Sequence, residues 1–368
     1  MKVVFLFLFA ISFSKWAVAF PENVRHGYFN CTACHEAPSG GGVLTPYGRS
    51  LSAELMSSWG TPKTAGLFFT DVENENVNRP WLRAGAFLRG VQTRRNSALK
   101  ETAEFIPMQG DLEAGIDQEK FAIIATAGFR ARDSTSRDLN EFFSRRYYAL
   151  YRVDDNWGIR AGKFLFSFGL SGPDHVSATR RGLNWNEGSE SHNLEISYSG
   201  ERASTIFSLI ANSPEEKGVK RDFGAAVNQS FFISQNSRIG ISAYSGQQAD
   251  FQRLVGGPYA ILSITKKVFI DSEIFFQNKQ IFSTGIVQNG YATFHRLGYE
   301  IFKGFTPYVQ FDRSYLDNSD RNSQFDSYGY GFQWLPYSHF ELISFIGNEK
   351  TVSQDTSDFW WLMMNVYL

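Results

Sequence analysis

The sequence has no excess of positive charge, few cysteines and no long hydrophobic run after its first residues. Its 36 Lys and Arg balance 37 Asp and Glu, which argues against nucleic acid as a partner because phosphate binding needs a basic surface. After position 20 no apolar run reaches the ~20 residues of a transmembrane helix, so a helical membrane protein is excluded. The 2 cysteines share one pentapeptide, so no disulfide framework of the kind common in exported proteins is expected.

The first residues have the features of an export signal. Lys2 precedes an apolar stretch over 3–13, and the small residues at 17–19 (Ala-Val-Ala) are typical of a cleavage site. The alternative is an uncleaved anchor helix, but Lys15 leaves the apolar run too short to span a bilayer. Residues 1–19 are therefore predicted to be a signal peptide, with the mature chain beginning at Phe20.

The segment 31–35 carries the most specific motif. Cys31-Thr32-Ala33-Cys34-His35 is the C-x-x-C-H pattern of covalent c-type haem attachment. The spacing lets two thiols reach the two vinyl groups on one porphyrin edge, while the next residue turns its imidazole onto the iron from the same side. The alternatives are a redox-active disulfide, which lacks a thioredoxin-like surrounding pattern, and half of a zinc site, which would need further ligands nearby. We predict one haem c, held by Cys31 and Cys34, with His35 as its iron ligand.

The second axial iron ligand has two candidates. His26 lies five residues before Cys31 on a flexible approach, and Met56 lies on a predicted short helix over 49–58. The apolar face of that helix is formed by Leu51, Leu55 and Trp59. Met56 lies beside this face, so packing is its alternative role, whereas that of His26 is a solvated loop residue. His26 is preferred, and the choice matters because a Met ligand raises the iron potential. Arg49 is a candidate partner of a haem propionate, with an ordinary solvated arginine as the alternative.

The haem-binding segment is predicted to span 20–63. It is too short for an independent core, since chains below ~70 residues usually need covalent or metal staples. Covalent haem and packing against the rest of the protein would both stabilise it. The glycines at 40–42 lack the Lys and Ser/Thr of a phosphate loop. They would either let the backbone approach the porphyrin edge or form an ordinary turn.

From position 80 onward apolar residues recur with a period of two, which predicts strands. The alternation is clear over 121–130, 305–312 and 327–334. About 16 such strands fit before the chain ends, and segments of about ten alternating residues are typical of outer-membrane barrels. Residues 64–368 are therefore predicted to form an all-β, transmembrane antiparallel β-barrel, with a soluble β-protein as the alternative. The last strand alternates up to Leu368, where such barrels usually end on Phe.

The connections between the predicted strands alternate between short and long. Short turns are predicted near 154–155, 200–201, 235–236, 266–267, 303–304 and 336–338. Longer polar loops are predicted near 93–101, 132–142, 167–190, 212–220, 246–255, 277–286, 316–322 and 349–357. Outer-membrane barrels have short periplasmic turns and longer outer loops. The pattern predicts that both termini lie on the periplasmic side, with outer-membrane lipid around the strands.

The longest predicted loop, 167–190, is the third outer loop. In general porins a long third loop folds inward and narrows the pore; here it carries His175, Arg180 and Arg181. The strands before it carry the basic residues Arg130, Arg132, Arg145, Arg146, Arg152, Arg160 and Lys163. Two interpretations stay open: a basic patch that faces haem propionates or anions, or lumen charge that is balanced by acidic groups elsewhere.

A haem segment followed by a barrel resembles the fused cytochrome–porins. The resemblance rests on the signal peptide, the pentapeptide Cys31–His35, the following barrel and the terminal apolar strand. It covers the whole chain as architecture, but only the pentapeptide is a specific motif. The best-known members of that family are outer-membrane iron oxidases, which pass electrons from extracellular ferrous iron through the haem to periplasmic cytochromes. The resemblance implies that Cys31 and Cys34 hold the haem and that His35 is its proximal iron ligand. It implies no role for any residue of the barrel.

Three functions are consistent with this architecture. The first is an electron conduit or metal oxidoreductase with periplasmic cytochromes or other electron carriers as partners; it is preferred because no substrate pocket is recognisable around the haem. The second is a solute porin whose haem-bearing segment plugs the lumen, since a barrel of about 16 strands leaves an aqueous channel. The third is a structural barrel in which haem only stabilises the N-terminus. A homo-trimer is one assembly that the barrel would allow.

Overall fold

A computed structural model describes residues 26, 31–61, 81–97, 101–131, 139–170, 177–185, 188–211, 222–351 and 354–367 of the chain. The predicted signal peptide 1–19 and the predicted domain boundary at 63–64 lie outside these residues. His175, Arg132 and Leu368 also lie outside them.

The described strands form one antiparallel sheet that closes on itself. The strands are β1 (Leu82–Asn96), β2 (Glu101–Gln118), β3 (Phe121–Ala131), β4 (Leu139–Phe143), β5 (Tyr147–Arg152), β6 (Trp157–Phe164), β7 (Ser191–Ser199), β8 (Ala203–Ala211), β9 (Phe223–Ser234), β10 (Ser237–Gln247), β11 (Phe251–Ser263), β12 (Val268–Ile281), β13 (Val287–Tyr299), β14 (Phe305–Tyr315), β15 (Gln324–Tyr337), β16 (Phe340–Thr351) and β17 (Gln354–Tyr367). Each pairs with its neighbour in sequence, except that β4 and β5 both pair with β3, and β1 also pairs with β17. The sheet is therefore a closed barrel without a free edge.

Two of the segments belong to one barrel strand. Both β4 and β5 pair with β3, and the break between them is fastened to the same neighbour: the Ser144 hydroxyl donates to the Thr126 carbonyl at 2.6 Å and the Arg146 N–H to the Thr126 hydroxyl at 2.9 Å. Counting β4 and β5 together turns the 17 described segments into 16 strands. The prediction of an antiparallel barrel of about 16 strands is confirmed.

Side chains alternate between the outer surface and the lumen, as the period of two predicts. Ile123 and Tyr330 point outward and are 47% and 60% exposed, whereas Ala122 and Ile124 point inward and are fully buried. The outward side chains are largely apolar, as strands in a bilayer require. Ile124 is an apolar side chain on the lumen face because Val43 of the N-terminal segment packs on it.

The connections alternate between two ends of the barrel. The short-turn end holds the connections 119–120, 153–156, 200–202, 235–236, 264–267, 300–304 and 338–339, together with the start of β1 and the end of β17. At the other end, the long-loop end, four connections are longer than any at the short-turn end: 132–138, 165–190, 212–222 and 316–323. The predicted alternation is confirmed for these four, and both described chain ends of the barrel lie at the short-turn end.

Several predicted outer loops are too long. Only 352–353 separate β16 from β17 and 248–250 separate β10 from β11, where 349–357 and 246–255 were predicted as loops. Polar side chains here pair across strands, as in the hydrogen bond from Asn348 to Asp358 at 2.7 Å. The strands continue beyond the apolar band into water, where a polar strand cannot be told from a loop by composition.

The described helical elements are short. They are a 3-10 turn Cys31–Ala33, the helix α1 (Pro46–Leu51), two π-helical turns Ser52–Met56 and Ala178–Gly182, and a 3-10 turn Arg321–Ser323. None of the helices in the described part of the chain is long and apolar enough to span a membrane.

The helix predicted over 49–58 exists in altered form. It begins earlier, because Thr45 caps it by accepting from the Gly48 N–H at 3.0 Å and Pro46 occupies its first turn. This Thr-Pro start is a recognised helix signal that the sequence interpretation missed. Trp59 was predicted on the apolar face, which is wrong: it is 55% exposed and contacts Trp334 at a ring distance of 5.5 Å.

Candidate haem-binding site

The segment 31–61 lies inside the barrel at the short-turn end. Its Ala37 and Val43 belong to one buried cluster with lumen-facing residues of three strands, Ala122, Ile124, Tyr148, Leu150 and Phe164. Further along, the Ser58 and Trp59 N–H groups donate to the carbonyls of Leu335 and Pro336 at 2.8 and 2.9 Å. The segment therefore contacts β3, β5 and β6 at its start and β15 at its end, and occupies the lumen between them.

A buried carboxylate anchors this segment to the barrel wall. Glu36 accepts from Arg83 Nε and Arg152 Nη2, both at 2.7 Å. The same two arginines reach Asp117, at 2.5 and 2.7 Å. Glu36 comes directly after the haem motif, so this network of two carboxylates and two guanidinium groups fixes where the motif lies.

The motif itself forms a tight turn. The N–H groups of Cys34 and His35 both donate to the Cys31 carbonyl, at 3.2 and 2.9 Å. This 3-10 turn brings the two cysteines and the histidine together, as the spacing predicts. The two thiols are not joined in a disulfide.

Three glycines turn the chain back along the motif. Gly40, Gly41 and Gly42 have φ of +82°, +74° and +72°, a region that side chains with a Cβ rarely adopt. The turn lets Leu44 form a bridge with His35. A Cβ on Gly40 would lie 3.3 Å from Cys31 Sγ and 3.9 Å from His35 Cδ2. Glycine therefore lets the chain pass close to the thiol, where a side chain would crowd it. The residues present fit the predicted haem, because both thiols are free and the turn brings them beside His35.

Burial sets the protonation states of the motif. It lowers the pKa of His35 to about 4, with a smaller contribution from Arg146 and an opposing hydrogen bond with Gly42. The imidazole is therefore neutral at neutral pH, which is the form that ligates a metal. Burial, assisted by Cys31, raises the pKa of Cys34 to about 12. Such a thiol is not an activated nucleophile.

The two candidate second ligands, His26 and Met56, both lie near the connection between β13 and β14. His26 Nε2 is 3.8 Å from Glu300 Oε2, at the β13–β14 connection. The Met56 carbonyl approaches Gly304 of the same connection. Neither of these contacts involves the Cys31–His35 turn, so the preference for His26 over Met56 stays a prediction.

Arg49 does not behave as an ordinary solvated arginine. Only 4% of it is exposed, and its guanidinium donates to the Ala84 carbonyl of β1. Burial and the neighbouring Arg83 lower the pKa of Arg49. That alternative interpretation is wrong, and the propionate contact stays a prediction.

Most of the predicted basic patch is paired with acid. The ion pairs are Arg145–Asp111, Arg146–Glu113, Arg152–Glu36, Arg152–Asp117 and Arg160–Glu195. Lys163 is buried over the Phe143 ring, at 4.3 Å. The balanced-charge interpretation is thus the correct one for these residues; the Arg130 side chain, like Arg132, lies outside the described part. Among the described residues, no three His, Cys, Asp or Glu side chains converge as a metal-ion site.

The third loop folds into the lumen, as predicted. Its Phe168, Leu183 and Trp185 are almost completely buried and belong to one cluster with Tyr244 and Phe275 of the opposite wall. Glu273 of β12 fastens the loop by accepting from three of its groups: the Leu170 N–H at 2.6 Å, the Thr179 hydroxyl at 2.6 Å and Arg180 Nη2 at 3.2 Å. Arg181 lies 3.9 Å from Glu349.

The barrel is similar to solved porins. OmpT of Vibrio cholerae, as a loop L8 deletion mutant, superposes with a TM-score of 0.58 at 10% identity, covering 78% of this chain and 99% of that one. An anion-selective porin from Comamonas acidovorans gives 0.57 at 7% identity, covering 78% and 99%. A trimer form of OmpT gives 0.58 at 9% identity, covering 78% and 99%. No protein-family model and no curated protein matches the chain. The fold is that of outer-membrane porins.

Proposed function

We propose that this chain is an outer-membrane monohaem cytochrome–porin, which passes electrons between an extracellular donor or acceptor, such as ferrous iron, and periplasmic cytochromes or other electron carriers. One observation carries the proposal: the C-x-x-C-H turn is held inside the lumen of a porin-like barrel. A membrane about 30 Å thick insulates its two sides. A redox group inside a barrel would lie between them.

The residues present can hold haem c. Cys31 and Cys34 would form the two thioether bonds, and the neutral His35 imidazole would ligate the iron. The bound haem would supply reversible one-electron transfer. Glu36, Arg83 and Arg152 fix the motif to the wall, so the site is positioned without a mobile domain. The short-turn end would face the periplasm, which puts the described chain ends on that side. Outer-membrane lipid would surround the apolar strand faces, and a trimer is an assembly known for one barrel of this fold.

A second candidate is a solute channel with a haem-bearing plug. The inward third loop favours it, because it lies across the lumen and is fastened to β12. This candidate predicts ion flow through the protein and no electron traffic across the membrane.

Electron transfer across liposomes separates the two candidates. An electron-accepting dye is sealed inside liposomes that contain the full-length protein, and chelated ferrous iron, which does not cross the membrane, is added outside. We expect the dye to be reduced by the wild type and not by Cys34→Ala, which lacks one thioether. If the dye stays oxidised while the haem is attached and ions leak through, the conduit proposal fails and the plugged channel remains.

A further inference from the structure

Two charged side chains of the barrel wall lie beside the haem motif. Arg160 of β6 donates from Nη2 to Glu195 Oε2 of β7 at 2.9 Å and to the Ser39 hydroxyl at 2.8 Å. Ser39 precedes Gly40, and a Cβ added to Gly40 would lie 3.3 Å from Cys31 Sγ. The wall therefore reaches the motif segment through a direct hydrogen bond, one residue from the glycine that packs against the thiol.

Both side chains are buried, and each has one polar atom without a partner in the described part of the chain. Arg160 is 2% and Glu195 0% exposed, and Arg160 lies over the Phe164 ring at 3.7 Å. Arg160 Nε and Glu195 Oε1 have no hydrogen-bond partner among the described residues. Buried charges act strongly on groups nearby, because the effective dielectric constant inside a protein is about 20.

We infer that Arg160 and Glu195 form a charged wall beside Cys31 and set the reduction potential of the haem. Both charges are buried, and Arg160 reaches the motif segment at Ser39 while Glu195 orients Arg160. The inference rests on the proposed function, since it requires haem at Cys31 and Cys34. It adds two positioning residues that lie far from the motif in sequence.

The sign of each effect follows from charge. The oxidised iron carries one more positive charge than the reduced iron, so a buried carboxylate stabilises the oxidised form and a buried guanidinium the reduced form. Glu195→Gln is therefore expected to raise the midpoint potential. Arg160→Gln is expected to lower it. Each change should alter the reduction equilibrium constant by about tenfold or more, since a buried charge is screened only by an effective dielectric of about 20.

Midpoint potentials that shift in opposite directions distinguish an effect of charge from an effect of looser packing. Arg160 and Glu195 form one ion pair, so a pocket that only loosened would respond in the same direction to either change. The experiment is a spectroelectrochemical titration of the full-length protein, with the haem content of each variant measured first as a pyridine haemochrome. Asp111→Asn is the matched control, because Asp111 is the carboxylate of a similarly buried pair, 2.9 Å from Arg145 Nε. Its potential should stay near that of the wild type.

The outcomes distinguish this inference from the function it rests on. Opposite shifts for Glu195→Gln and Arg160→Gln, with normal haem content, support the charged wall. Shifts in the same direction, or shifts no larger than that of Asp111→Asn, overturn it and leave the conduit proposal standing. A wild-type protein that carries no covalent haem after expression with a haem-attachment system overturns both.

Discussion

Replacing Glu36 by Gln is expected to raise the labelling rate of Cys34 by about two orders of magnitude. Glu36 accepts from Arg83 and Arg152 at 2.7 Å, with only 2% of its side chain exposed. Loss of its charge removes one of the two carboxylates that the guanidinium groups share and leaves Asp117 as the other. Breaking a buried ion pair costs about 3–5 kcal/mol, and we expect the lower end because Asp117 remains. Every 1.4 kcal/mol raises the open population, in which the motif segment has left the barrel wall, about tenfold.

The thiol is a suitable reporter because only 2% of Cys34 is exposed. A maleimide should react with it only when the segment leaves the wall, so the labelling rate follows the open population. The measurement uses haem-free protein that carries Cys31→Ser, so that Cys34 is the single thiol. Glu101→Gln is the control, because Glu101 and Arg94 form a surface pair with side chains 53% and 60% exposed, worth about 0–1 kcal/mol. Equal labelling of Glu36→Gln and the control would show that other contacts hold the segment.

The sequence predicted those features that depend on local pattern. The barrel could be predicted because each strand shows its own local pattern. The evidence was the period of two, as over 121–130 and 327–334, together with the alternation of turns and loops. The haem motif is equally local, since five consecutive residues specify it, and the haem itself stays a prediction. The predicted loops near 246–255 and 349–357 were wrong because polar strand ends and loops share one composition.

The partners of the charged residues could not be predicted. Arg83 and Arg152 lie 47 and 116 positions from Glu36, and Arg160 lies 35 from Glu195. Such pairs depend on which strands become neighbours and on where residues 31–61 lie in the lumen. No local pattern carries that information, so the same arginines were consistent with either a basic patch or a balanced lumen.

Two elements lie inside the barrel, the motif segment and the third loop. The third loop is fastened to the wall at Asn228, which accepts from the Tyr259 hydroxyl. The Asn228 amide in turn donates to the Ser167 hydroxyl and the Gly169 carbonyl of the third loop, both at 3.0 Å. The motif segment enters from the short-turn end and the loop from the long-loop end. Under the proposed function, an electron donor that arrives at the long-loop end would meet the third loop before the motif. The contacts that fasten this loop would then control access to the motif.

Replacing Glu273 by Gln is expected to release the third loop and raise its cleavage by external trypsin about a hundredfold. Glu273 accepts from Leu170, Thr179 and Arg180, and an amide in its place turns one acceptor oxygen into a donor that faces other donors. Arg180 is also left buried without its counter-charge. The cost is about 3 kcal/mol, the lower end for a broken buried pair, which is about a hundredfold in the open population.

Trypsin is informative because the loop carries Arg180 and Arg181, and a protease needs a segment that has left its packed position. Cleavage is followed in liposomes by the appearance of fragments ending at either arginine. Asp111→Asn is the control, since its ion pair with Arg145 lies on the barrel wall, and it should leave the cleavage rate unchanged. Slow cleavage of Glu273→Gln would mean that the contacts from Ala178 to Asp312 and from Trp185 to Asp222 hold the loop by themselves. Fast cleavage with unchanged thiol labelling at Cys34 would show that the loop and the motif segment open independently.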